Sequence, residues 1–264
     1  MSRRGFSGRV ILVSGAAGGL GTALCRRFAA SGAQIAAMDL DAGRLDALTA
    51  QLRSSGTNAL ALPGDITDAL ACRHAVALCR SHFGSLHGLI NNAGISHRSL
   101  LRNTDPEVIR RVMEVNFLGA VYLTHAALPH IIEQRGVIAA ISSVAGYAPL
   151  IGRTGYSASK HALHGFFDSL RTEVEDAGVA VTLICPSFIS TGIDAAALNA
   201  GGPRLTTGGE SSPDDIATRI HDAMAAGDSL LLPDRTSRLA WWLSRLAPAT
   251  YARIMKRRVG AEFA

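Results

Sequence analysis

Hydrophobic residues along this chain fall into two kinds of run, and the two kinds alternate. Short, nearly uninterrupted apolar runs occur at 10–14 (VILVS), 35–39 (IAAMD), 59–62 (ALAL), 88–92 (GLINN), 137–142 (VIAAIS), 179–185 (VAVTLIC) and 229–232 (SLLL). Between them lie longer, mixed stretches with apolar residues at helical spacing, near 19–30, 43–54, 67–82, 105–132, 156–177 and 213–226. The short runs read as strands buried on both faces and the long ones as amphipathic helices. Two helix starts carry caps ahead of a proline: Thr104 or Asp105 before Pro106, and the serines before Pro213. Seven strands alternating with helices predict an α/β fold, a doubly wound parallel sheet with helices on both faces. Right-handed crossovers then bring the strand C-termini to one edge, where a ligand is expected.

The polar chemistry sits at those strand ends. SGAAGGLG, residues 14–21, closes the first strand and opens the first helix, with Gly15, Gly19 and Gly21 spaced G-x-x-x-G-x-G. Backbone amides of such a turn can face a phosphate with no side chain between, and the helix N-terminus adds positive potential. The second strand ends at Asp39, 39 − 19 = 20 residues after Gly19. A carboxylate there accepts hydrogen bonds from both adenosine ribose hydroxyls and repels a 2′-phosphate. With no basic residue in the turn and Leu40 after Asp39, the expected cofactor is NAD, with NADP the weaker alternative. The competing role for Asp39 is to cap the turn that follows.

Lysine is rare here: only Lys160 and Lys256 interrupt the arginines among 26 basic residues. Lys160 lies four residues after Tyr156, so the two share one helix face. Tyrosine is a poor base at neutral pH, with a free pKa of about 10, and a neighbouring ammonium favours its phenolate. A compact ammonium on a flexible stem also reaches ribose hydroxyls more readily than a guanidinium fork does.

With these residues assembled, the chain resembles the short-chain dehydrogenase/reductase family over about residues 7–233. The glycine turn is matched by Ser14-Gly15, Gly19 and Gly21, and the acidic residue after the third strand by Asp65 with Ile66 beside it. Asn91, Asn92, Ala93 and Gly94 match the N-N-A-G segment, Asn116 in VNFLG the active-site asparagine, and Tyr156 to Lys160 the Y-x-x-x-K motif. Ser143, in ISSVAG, lies 156 − 143 = 13 residues before the tyrosine and matches the family's serine. The spacing selects it over Ser142.

The resemblance implies a Rossmann-like single domain and an NAD(H)-dependent oxidoreductase interconverting a secondary alcohol and a ketone. Ser143 would hold the substrate oxygen, Tyr156 would exchange the proton, Lys160 would hold the ribose and Asn116 would order a water. It extends the expected cofactor contacts to Gly18, Leu20, Leu40, Pro186, Ile189 and Thr191, the last at the position that meets the carboxamide. Two departures stand out. Ser14 replaces the usual Thr but keeps a hydroxyl, and Ser187 stands where Gly is usual. The stretch 187–211 is otherwise particular to this chain, so substrate choice is expected there, with Phe188 as one contact. His97, just after NNAGIS, is a candidate substrate contact at the cleft mouth, the alternative being a solvated loop.

Composition narrows the rest. Cys25, Cys72, Cys79 and Cys185 form no C-x-x-C pair and read as buried thiols of a reducing, cytoplasmic setting. No metal site is expected from the nine histidines. No apolar run is long enough to span a bilayer. The net charge of +5 is unevenly placed, for residues 235–258 hold seven basic groups and no acid. The remainder then carries 26 − 7 = 19 basic against 21 acidic residues, which argues against a nucleic-acid partner.

Residues 1–233 are therefore taken as the catalytic unit and 234–264 as a basic amphipathic extension, divided by Pro248 into two short helices. The favoured reading makes the extension a cover for the cleft or a subunit contact through Trp241, Trp242 and Leu246, in a homodimer or homotetramer. Peripheral membrane contact is the second reading. Apolar surface near the cleft points to a substrate with apolar bulk, such as a steroid-like, retinoid-like or long-chain alcohol. Other functions on the same fold are a catalytically silent dinucleotide-binding regulator, disfavoured because it needs no Tyr156, and an epimerase or dehydratase.

Overall fold

The computed structural model describes residues 3–192, 197–198 and 209–259. Seven strands, β1 (Val10–Ser14), β2 (Gln34–Asp39), β3 (Ala59–Pro63), β4 (Gly88–Asn91), β5 (Val137–Ile141), β6 (Ala180–Ile184) and β7 (Leu230–Leu231), form one parallel sheet in the order β3-β2-β1-β4-β5-β6-β7. The order reverses between β1 and β4, and the chain's polar strand ends gather at that point. In register, Ser14 stands beside Met38 and Asn91 beside Ala140.

Both faces of the sheet are covered, as the uniformly apolar strands require. One layer holds α1 (Gly19–Ala30), α2 (Ala42–Ser54) and α7 (Pro213–Ala226), packed around Phe28, Leu24, Ile35 and Ile220. The other holds α3 (Ala69–Phe83), α4 (Pro106–Met113), α5 (Gly119–Glu133) and α6 (Thr154–Val174), packed around Leu89, Leu123, Phe167 and Cys79. Each fully buried Phe or Leu contributes roughly 1.5–3 kcal/mol, so the sheet's position is set by these two cores. Asp105 caps α4, accepting from the Glu107 amide, and Ser212 caps α7, accepting from Asp215.

The stretch expected as one helix near 105–132 is interrupted. Between α4 and α5, Glu114–Leu118 is a π-helical turn that carries Asn116. Such turns mark functional positions in helices, because one extra residue re-aims a side chain without ending the helix. Contrary to expectation, the combined helix Pro106–Glu133 is long enough to span a membrane and holds an 18-residue window of mean hydropathy 1.3. Its apolar side is occupied by protein: Leu123, Ala127 and Ile131 are buried in the core, and Thr124 accepts a hydrogen bond from Asn91 at 2.9 Å.

Beyond β7 come two more helices, α8 (Arg235–Leu246) and α9 (Pro248–Val259), separated at Pro248 as the sequence indicates. Ala240 and Tyr251 pack with Val144, Ala148 and Tyr147, so the extension lies against the loop after β5.

Candidate active site

The glycine turn is held by short bonds to the segment after β4. The Ser14 hydroxyl accepts from the amides of Asn92 (3.1 Å) and Ala93 (3.2 Å). Asn92 returns two bonds from its side-chain amide to the carbonyls of Ser14 and Gly15, each 3.0 Å. A hydroxyl is what this clamp needs, so serine in place of threonine preserves it. Gly15 has φ +62°, and a Cβ there would fall 2.7 Å from the Ala93 Cα. At Gly21 a Cβ would meet the Gly15 carbonyl oxygen at 2.0 Å, and at Gly19 the Thr191 Cα at 3.0 Å. At Gly15 and Gly21 passing backbone excludes a side chain, and at Gly19 one would crowd Thr191.

Asp39 does two jobs. Its Oδ2 accepts the Ala17 amide at 2.9 Å, fixing the turn to the end of β2, and its Oδ1 accepts the Asp41 amide. The cap of α2 is Asp41, not Asp39. Asp65 accepts from the Thr67 amide and hydroxyl and faces Arg111 at 3.5 Å. Burial raises its pKa, but those donors outweigh burial and hold the carboxyl below its ordinary value.

The catalytic set meets on the other side of the same cavity. Helix α6 places Tyr156, Lys160 and His164 on one face, four residues apart. Lys160 is 4% exposed, donates to the Ile141 carbonyl at 2.8 Å and lies 5.6 Å from the centre of the Tyr156 ring. Burial lowers its pKa to about 8. This niche answers why lysine stands at 160: a guanidinium would bring five donors where one carbonyl accepts.

Ser143 and Ser142 are separated by their partners. The Ser142 hydroxyl donates to the Lys160 carbonyl and lies 3.0 Å from His164 Nε2, so it is engaged with α6. Ser143 Oγ accepts the Ala145 amide at 3.2 Å and keeps its own proton to donate. His164 is kept neutral, with burial lowering its pKa to about 4.

Asn116 braces the neighbourhood. Its Oδ1 accepts the Ile95 amide at 2.8 Å, and its amide donates to the Ile95 carbonyl and to Ser159 Oγ, each 3.0 Å. Ser159 in turn donates to the Tyr156 carbonyl. Both amide hydrogens are thus committed to protein, which leaves the second lone pair of Oδ1 as the side chain's only capacity for water.

A cavity of ≈ 650 Å³ runs through both halves. Its walls include the glycine turn with Gly18 and Leu20, then Asp39, Leu40, Asp65 and Ile66, then Asn92, Ala93 and Gly94. Further along come Ser143, Tyr156, Lys160, Pro186, Phe188, Ile189 and Thr191. The elongated path, with amides at one end and a tyrosine–lysine pair at the other, fits a dinucleotide.

His97 departs from expectation. It is completely buried and does not line the cavity; its Nδ1 accepts the Tyr156 amide at 3.3 Å. It is not a solvated loop residue; its imidazole is a brace for the tyrosine's backbone. The reason is a bridge to Leu198, which folds this loop under cover. Within 187–211, residues 193–196 and 199–208 lie outside the described residues.

Several wall residues escaped the sequence reading. Arg44, in the first turn of α2, lines the cavity with Asp39, as do Arg111 and Arg153. The signal for Arg44 was its place one turn beyond a strand end at the ligand edge. Ser187 acquires a reason: its hydroxyl and amide bond the two oxygens of Asp234, at 2.8 and 3.0 Å, and Asp234 caps α8. Leu239, Leu243, Tyr251, Ile254 and Met255 of the extension then complete the cavity wall. Trp241 packs edge-on against Tyr147, whereas Trp242 and Leu246 point to solvent, contrary to expectation. At about 100° per residue, Trp242 lies roughly 160° from the buried Ala240 and so faces away from the core.

Residues 9–200 match the short chain dehydrogenase family model. A relative in Mus musculus, dehydrogenase/reductase SDR family member 7B, is 37% identical, covering 96% of this chain and 82% of that one. The match therefore continues well past residue 200 into the extension. An 11-beta-hydroxysteroid dehydrogenase-like 2 of Arabidopsis thaliana is 34% identical over 70% of this chain and 60% of its own. Among solved structures, a short chain dehydrogenase/reductase from Burkholderia phymatum in complex with NAD superposes with a TM-score of 0.85. It is 24% identical and covers 93% of this chain and 96% of that one. The chain belongs to the short-chain dehydrogenase/reductase family, a family of oxidoreductases.

Proposed function

We propose that the protein is an NAD(H)-dependent oxidoreductase interconverting a secondary alcohol and a ketone on a largely apolar small molecule. The observation that carries this reading is the convergence of Ser143, Tyr156 and Lys160 on one cavity with the glycine turn and Asp39. When bound, nicotinamide supplies the hydride acceptor or donor. The turn of Gly15, Gly19 and Gly21 would offer its backbone amides to the pyrophosphate, and Asp39 would receive the adenosine ribose. Thr191 and Ile189 stand on the nicotinamide side. The NAD held by the Burkholderia phymatum relative supports the same choice.

In the direction of oxidation, Ser143 donates a hydrogen bond to the substrate oxygen and fixes it beside Tyr156. The Tyr156 phenolate oxygen takes the hydroxyl proton. Lys160 holds positive charge within reach of that oxygen and of the ribose, and Asn116 keeps the Ile95 backbone and the Ser159 hydroxyl in place beneath them. Leu239, Leu243, Ile254 and Met255 exclude water around the apolar part of the substrate, which supports steroid-like, retinoid-like or long-chain alcohols. The four buried thiols, none of them paired, support work in a reducing compartment such as the cytoplasm. The test is a panel of bulky and small secondary alcohols and ketones, followed by NADH absorbance with NAD and NADP side by side. Turnover confined to small polar alcohols would refute the substrate class, and no turnover with any member would refute the activity.

A further inference from the structure

Helix α8 has two apolar sides with different neighbours. The inner side gives Ala240 and Leu243 to the cavity wall and sets Trp241 against Tyr147. The outer side carries Leu239, Trp242 and Leu246, which are 67, 61 and 78% exposed. At about 100° per residue, these three and Arg235 fall within an arc of roughly 60°. Among the described residues eight large hydrophobic side chains are exposed, and three of them lie on this one stripe. So dense a patch on a soluble surface marks an interaction site.

The charge on the two helices of the extension has one sign. Arg238 and Arg245 follow the stripe on the side away from the cavity, Arg245 with its guanidinium stacked on the Trp241 ring, and α9 exposes Arg253, Lys256 and Arg257. No acid occurs from 235 to 258. We propose that this face docks on an anionic lipid bilayer, with α8 lying in the headgroup layer, Trp242 and Leu246 inserted, and the basic groups against lipid phosphates. A second copy of the chain is the poorer occupant. A two-fold contact on this face would set the same cationic groups against each other.

Cleft cover and lipid contact are therefore not alternatives, since the helix presents a separate side to each. That joins the favoured reading of the extension, a cover for the cleft, to the second one, peripheral membrane contact. Leu239 belongs to both the stripe and the cavity wall, so the cavity opens beside the docked surface. Delivery of an apolar substrate from the bilayer rests on the proposed substrate class; the docking itself does not.

The test is flotation of the full chain with vesicles of phosphatidylcholine, with and without about 30% phosphatidylserine. Binding to the anionic vesicles should exceed binding to the neutral ones by at least about tenfold, and should fall as salt shortens the Debye length. Arg253→Gln with Arg257→Gln should weaken binding roughly fivefold per arginine. Trp242→Ser with Leu246→Ser should abolish it while turnover and cofactor affinity stay unchanged. Should the serine pair unfold the chain, Trp242→Phe with brominated lipid reads the same contact: quenching should fall sharply relative to the intact protein. Three results would overturn the proposal. They are no binding of the intact chain to anionic vesicles, equal quenching in intact and Trp242→Phe proteins, or a sedimentation-equilibrium dimer that the serine pair dissolves.

Discussion

The two halves of the cavity are built from different materials. Around the glycine turn the walls are backbone and short polar side chains, joined by bonds such as Ser14 to Asn92 and Asp39 to Ala17. Around the far end they are apolar side chains of α8 and α9, held by a few distant links: Ser187 to Asp234, and the Tyr147 hydroxyl to the Ser237 carbonyl at 2.7 Å. A backbone-built site recognises what all its ligands share, whereas a side-chain wall can be re-cut by substitution. The dinucleotide end is therefore a fixed part, and the substrate end the adjustable one.

Four measurements would break or sharpen that contrast. The largest effect is expected at the junction of the halves. Tyr156→Phe should lower kcat by about a hundred- to ten-thousand-fold while the NADH dissociation constant moves by less than about threefold. Near-normal turnover on the best substrate would remove the tyrosine from the chemistry.

Next comes the cost of burying Lys160. Its folded pKa of about 8 lies below the free value of 10.5. Between those values the unfolded chain holds more protons, so stability rises with pH through that window, and the full cost stands below about pH 8. That cost is about 3 kcal/mol. Lys160→Met should abolish turnover yet raise unfolding free energy at pH 7 by up to about 3 kcal/mol, less the lost bond to Ile141, with the gain shrinking toward pH 10. Denaturant titration at neutral and alkaline pH reads this directly. A loss of stability at pH 7 would mean the ammonium is better solvated than its burial implies.

At the dinucleotide end, kcat/KM with NAD should exceed that with NADP by about 2 kcal/mol, some thirtyfold. Asp39→Ser with Leu40→Arg should narrow or invert the gap. Wild-type preference for NADP would instead assign Arg44, on the same wall, to the 2′-phosphate. The smallest effect belongs to the link between halves. Ser187→Gly removes one bond to Asp234, worth about 1 kcal/mol, so KM for a bulky apolar substrate should rise roughly fivefold. Cofactor affinity should change less than about twofold, and an equal change in both would show that the halves are not separable.

The contrast also explains what the sequence made legible. The strands lie where local pattern put them, and the glycine turn, Asp39 and the order Asn116, Ser143, Tyr156, Lys160 were legible from local pattern and fixed spacing. The misreadings concern bonds between remote segments. His97 looked exposed because its cover, Leu198, is about a hundred residues away. Ser187 looked like an irregularity because its partner Asp234 lies 47 residues on. Trp242 was turned inward on hydropathy alone, although helical phase sends it opposite to the side that packs. Composition records that a residue is apolar, and only the neighbouring elements decide what it meets.

The π turn at Glu114–Leu118 has a consequence for how this chain tolerates changes of length. An extra residue taken up as a bulge leaves the helix on either side in phase. Removing one residue inside the turn would let the ladder close as ordinary α-helix, with Leu123, Ala127 and Ile131 still facing the sheet and only Asn116 swung away from Ile95. Removing one residue from the middle of α5 would instead rotate that apolar face by about 100° relative to the preceding helix. In this helix the site, and not the core, is therefore the part that a single-codon deletion could erase while sparing the fold.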